Sequence, residues 1–81
     1  MNESELKQII VTELAKVAPG SDPGAVGLDE NLRESLDIDS FDALNFFIAL
    51  SERLGVDIPD RDMGRLNTMG EILQYLLRQK V

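Results

Sequence analysis

Ser40 is the residue whose type and setting could support chemistry: it follows Asp39, precedes Phe41-Asp42, and stands where a helix should begin, with Asp37 just upstream. A serine there can be a nucleophile, a helix cap or the attachment point of another group. Nucleophilic catalysis needs a base to take the hydroxyl proton. The chain has no histidine and no cysteine, and Lys7, Lys16 and Lys80 are remote from Ser40 in sequence and expected on exposed helix faces. No catalytic residue is assigned, and the chain is not expected to be an enzyme. A phosphodiester on Ser40 would instead meet the unpaired N–H groups and positive end of the helix, a gain of about 0.3–1 kcal/mol. Asp37, Asp39 and Asp42 work against that gain, and fit a spot that a basic enzyme recognises while bringing its own metal ion.

The same acids raise the possibility of calcium, which the spacing excludes. A binding loop opening at Asp37 would put Phe41 and Ile48 where oxygen ligands are required, and one opening at Asp60 would put Arg65 where glycine must turn the chain. No metal site is expected.

The elements that must position Ser40 follow from periodicity and caps. Leu6, Ile9, Ile10, Leu14 and Val17 recur at helical spacing, with Asn2 or Ser4 as cap and Pro19-Gly20 as stop, which predicts a helix over about residues 3–18. A long connection follows over 19–38, and its scattered Val26, Leu28, Leu32, Leu36 and Ile38 indicate a segment pinned to the core. Asp39 has the form of a cap, with Asp42 as a charge in the first turn, so Ser40 takes the first position of a helix running to about Leu54 and ended by Gly55. Pro59 can open a short helix, and Thr68 with Glu71 has capping-box spacing ahead of a last helix over about 69–79. There is no internal repeat and no strand-like alternation. The expected fold is all-α, a small four-helix bundle of three longer helices and one short one, in a single domain spanning 1–81.

The helix after Ser40 carries two apolar faces. Ala43, Phe46, Phe47, Leu50 and Leu54 fall within roughly 140° to 240° of the helical wheel, wide enough for the core face. Phe41, Leu44 and Ile48 cluster separately, from about 300° to 360°. Either the long connection covers this second group, or it is an exposed patch that docks a partner beginning one residue after Ser40.

Composition narrows the function classes. With 43% hydrophobic and 28% charged residues in 81, the chain fits one small globular domain. Between Asp29 and Asp62 ten acids face three bases, Arg33, Arg53 and Arg61, so this stretch holds the whole net charge of −7. Such a surface repels nucleic acid and anionic lipid and draws basic partners. No apolar run approaches the roughly 20 residues of a membrane span. Met1 to Glu5 lacks the features of a signal peptide, so a cytoplasmic location is expected. Without cysteine, any thioester sulfur must come from elsewhere.

Leu36-Asp37-Ile38-Asp39-Ser40-Phe41, the apolar helix after it, and Val56-Asp57-Ile58-Pro59-Asp60 at its distance downstream closely resemble the acyl carrier protein family over almost the whole chain. The resemblance implies that Ser40 Oγ is esterified with 4′-phosphopantetheine, donated from coenzyme A by a separate phosphopantetheinyl transferase, with Asp39 part of that site. It implies that acyl groups ride on the arm's thiol as thioesters, and that the core stripe borders a cleft able to shelter an acyl chain. It assigns Asp37, Phe41, Asp42, Leu44, Asn45, Ile48 and Glu52 to a face recognised by acyl-loading and acyl-transferring enzymes, in a monomeric carrier. The chain departs from the family pattern in two places. Asp37-Ile38 stands where a small pair such as Gly-Ala is usual, and Asn45, Ser51 and Arg53 thin the acidic face, leaving Glu52. These departures point away from the housekeeping carrier of fatty acid synthesis and toward a carrier for a specialised lipid or polyketide pathway, with fatty acid synthesis kept as the family's general role. An aminoacyl or peptidyl carrier, or an unmodified helical interaction module, remain alternatives.

Overall fold

The computed structural model describes residues 1–79, which form an all-α fold. Three longer helices carry the core: α1 over Glu3–Val17, α3 over Ser40–Leu54 and α5 over Met69–Arg78. Two short ones lie between them, α2 over Leu32–Ser35 and α4 over Asp60–Met63, and a 3-10 turn at Pro23–Ala25 interrupts the first connection. α2 has no counterpart in the sequence reading, because four residues are too few to display a helical period. α4 begins one residue later than Pro59, which serves as its N-cap residue. Lys80, expected on an exposed helix face, lies outside the described residues.

Each long helix starts on a side chain that satisfies a free backbone N–H. Asn2 Oδ1 accepts from the Glu5 amide at 2.8 Å, Asp39 Oδ1 from the Asp42 amide at 2.8 Å, and Thr68 and Glu71 close a reciprocal capping box. Gly55 ends α3 at φ 67°, a left-handed turn that glycine enters without a Cβ penalty.

α1 packs on both α3 and α5. Leu6, Ile10 and Leu14 meet Phe46, Phe47 and Leu50 from α3, and Met69, Ile72 and Leu76 from α5 complete one buried cluster. The stripe read from the wheel is therefore the core face, with Ala43 and Leu54 at its margin. The rings of Phe46 and Phe47 stand 5.0 Å apart at 54°, a tilted arrangement that aromatic pairs favour.

The long connection is held by both side chains and backbone. Leu32 and Ile38 are buried and Val26 and Leu36 pack at the core's edge, whereas Leu28 is 49% exposed, contrary to its expected role as an anchor. Its backbone does that work instead: the Gly70 amide donates to the Leu28 carbonyl at 3.1 Å, and the Leu32 amide donates to the Asn67 carbonyl at 2.8 Å. A Cβ on Gly70 would stand 3.2 Å from the Leu28 carbonyl oxygen, tighter than ordinary van der Waals contact, so a larger residue there would push the two segments apart by a few tenths of an ångström.

Candidate functional site

Two helix-capping motifs meet head to tail immediately before Ser40. α2 closes with the Asp37 amide donating to the Glu34 carbonyl at 3.4 Å and the Ile38 amide to the Arg33 carbonyl at 2.9 Å, the paired bonds of a Schellman motif. That motif requires a left-handed residue, and Asp37 fills it at φ 54°. Aspartate enters this region more readily than most residues, and glycine more readily still. Ile38 turns into the core, and Asp39 then caps α3, so the chain passes from one helix to the next over 36–39 with the amides of Leu36, Asp37 and Ile38 bonded back to α2. Ser40 emerges from this corner exposed, as the first residue of α3.

Ser40 lies at the mouth of a cavity of about 220 Å³. Ile38, Ala43, Phe46, Phe47 and Leu66 give it mainly apolar walls, while Arg33 and Asn67 add polar groups. The contributions of α2 and of the 63–67 segment were not foreseen, since they depend on how the connections fold back. Outside the cavity, the Tyr75 hydroxyl donates to Asp62 Oδ2 at 2.7 Å and ties α4 to α5. Burial, together with the Asp62 carboxylate, pushes the Tyr75 phenol above its usual range.

The second apolar face is uncovered. Phe41 is 69% exposed, Leu44 39% and Ile48 44%, so the connection does not fold over them. Leu44 also lines the cavity, which makes the patch continuous with its mouth. Asp37, Asn45 and Glu52 are exposed as well, and Asp42 is half-buried.

Two of the three residues that thin the acidic face have local roles. Ser51 Oγ donates to the Val56 carbonyl below the end of α3, and Arg53 Nη1 bonds Glu13 Oε2 at 2.8 Å. Glu13 was not anticipated: it is 3% exposed on α1 and is also bonded by Lys16 at 3.0 Å. Burial pushes its carboxyl upward, but the hydrogen bonds from Arg53 and Lys16 outweigh that and hold it below the ordinary range. Lys16 is exposed as expected, whereas Lys7 is half-buried, and neither lines the cavity with Ser40.

Residues 4–76 match the family model described as a phosphopantetheine attachment site. The chain is 33% identical over 66 residues to the acyl carrier protein of Renibacterium salmoninarum, covering 82% of each. It is 32% identical over 80 residues to the acyl carrier protein of Thermosynechococcus vestitus, covering 94% of this chain and 93% of that one. A solution structure of a candidate acyl carrier protein from Anaplasma phagocytophilum matches at a TM-score of 0.85 over 100% of this chain and 94% of that one, with 23% identity, a likeness of fold alone.

Proposed function

We propose that this chain, which belongs to the acyl carrier protein family, bears its 4′-phosphopantetheine on Ser40 Oγ and offers acyl thioesters to partner enzymes across the face of Phe41, Leu44 and Ile48. Family membership makes it a carrier rather than an enzyme, served by a phosphopantetheinyl transferase and by the enzymes that load and unload it. When bound, the group supplies the thiol that a cysteine-free chain lacks.

The observation that carries this reading is the position of Ser40. Its hydroxyl is exposed at the first turn of a 15-residue helix, beside a mainly apolar cavity and one residue from an uncovered apolar patch. The residues present fit the group: a solvent-accessible serine supplies the ester oxygen, the α3 amides favour the phosphate, and the cavity accepts apolar cargo. Asp39 supports the site by capping α3, which holds Ser40 in place. Asp37, Asp42, Asn45 and Glu52 surround the patch as the polar rim that partners read.

At about 220 Å³ the cavity is smaller than the roughly 300–1,000 Å³ of ordinary ligand pockets, so it suits a short acyl group or the first carbons of a longer one. Arg53 and Ser51 are committed within the fold, which supports a specialised acyl pathway with partners less basic than those of fatty acid synthesis. No helix among the described residues is long and apolar enough to cross a membrane, and we read 1–81 as one cytoplasmic, monomeric carrier domain. Loading assays test the cargo class: acyl-activating enzymes should charge the modified protein at least tenfold faster than amino-acid-activating ones. The reverse ranking would make it an aminoacyl carrier.

A further inference from the structure

We infer that the Arg33 guanidinium is the counter-charge for the phosphodiester on Ser40, a positioning role that rests on the attachment proposed above. A phosphodiester at Ser40 would carry one negative charge into a corner already holding Asp37, Asp39 and Asp42, in a stretch where acids outnumber bases ten to three. The α3 amides offset part of this repulsion, but one of them, from Asp42, is already taken by Asp39 Oδ1. A cation beside Ser40 would offset the rest.

Three bases lie between residues 29 and 62, and the fold separates their uses. Arg53 is held by Glu13 at 2.8 Å. Arg61 sits on α4 and does not line the cavity. Arg33 lines the same cavity as Ser40 and is exposed at its rim. The ion pairs among the described residues join Glu13 to Lys16 and to Arg53, so the Arg33 guanidinium is not committed to a salt bridge within the fold. Its backbone is fixed where it is useful: the Arg33 carbonyl accepts the Ile38 amide at 2.9 Å, tying it to the residue two before Ser40. A guanidinium suits this task because its fork of donors matches phosphate oxygens.

The test is a thermodynamic cycle on four proteins, the unmodified and phosphopantetheinylated forms of wild type and of Arg33→Gln. Intact mass first establishes that both chains carry the group on Ser40, so failure of the attachment itself is seen separately. Melting temperatures are then measured at about 0.02 M and about 0.5 M salt. Modification should raise the wild-type Tm by about 2–4 °C more than it raises that of Arg33→Gln at low salt, and the gap should shrink by at least half at high salt. Arg33→Lys should restore part of the gap. Because each variant is compared with its own unmodified form, any effect of the substitution on folding cancels. Equal shifts in the two chains would overturn the inference, and so would a gap that salt leaves unchanged.

Discussion

Arg53 Nη1 on α3 stands 2.8 Å from Glu13 Oε2 on α1, joining residues 40 apart in sequence through a carboxylate that is almost wholly buried. The pair fastens the two longest helices at the end of α3 away from Ser40. Removing Arg53 leaves Glu13 buried with Lys16 as its one remaining bonded partner. Arg53→Ala should cost about 1–2 kcal/mol and lower Tm by roughly 5–10 °C, which a thermal melt checks.

The same pair gives the fold an acid dependence of definite sign. The Glu13 carboxyl is held below its ordinary value in the folded chain, so the ionised form is favoured by folding. Its contribution is complete above the unfolded value of about 4.5 and is lost as pH falls through the lowered folded value. Glu13→Gln should therefore flatten the fall in Tm below that point, while wild type keeps its slope.

Asp37 holds a left-handed conformation at φ 54° in the corner before Ser40. Asp37→Gly should leave stability equal or raise it by up to about 1 kcal/mol, whereas Asp37→Val, with a branched Cβ, should cost about 1–2 kcal/mol. Denaturant titration of both variants checks the contrast.

Asp39 is the cap of α3, and two substitutions separate that role from its charge. Asp39→Ala should cost about 1 kcal/mol through loss of the 2.8 Å bond to the Asp42 amide, while Asp39→Asn should stay within about 0.5 kcal/mol. If the transferase reads the carboxylate, both variants should be modified more slowly, with helical signal retained, in a timed modification assay.

Phe41, Leu44 and Ile48 should matter for partners more than for folding. Each alanine variant should change stability by at most about 1 kcal/mol, since these side chains lie outside the buried core, 39–69% exposed. At least one should slow acyl transfer by a partner enzyme about tenfold, the scale of an interface hot spot. Phe46→Ala, by contrast, should cost about 3–5 kcal/mol, because the ring is 3% exposed in the core.

What could be read from the sequence was what local rules decide. The Asp39 cap, the Thr68 and Glu71 box, the Gly55 stop and the core stripe of α3 each depend on residues within a turn or two of one another. Whether the second apolar face was covered could not be read, because that depends on the path of residues 19–38. That path is set in part by backbone bonds to Asn67 and Gly70, which leave no side-chain pattern. Glu13 did leave a signal: on the wheel it falls between Ile9 and Leu6, within the apolar stripe of α1, where a carboxylate needs a partner. Arg53, counted as a loss to the acidic face, is that partner.

The central claim, that Ser40 Oγ is the covalent attachment point, is tested most directly by intact-mass analysis with peptide mapping after incubation with coenzyme A, magnesium and a phosphopantetheinyl transferase. The expected result is a mass gain of one phosphopantetheinyl group, carried by the peptide containing Ser40 and absent from Ser40→Ala. A wild-type chain that gains no mass, or gains it on another residue, would contradict the account.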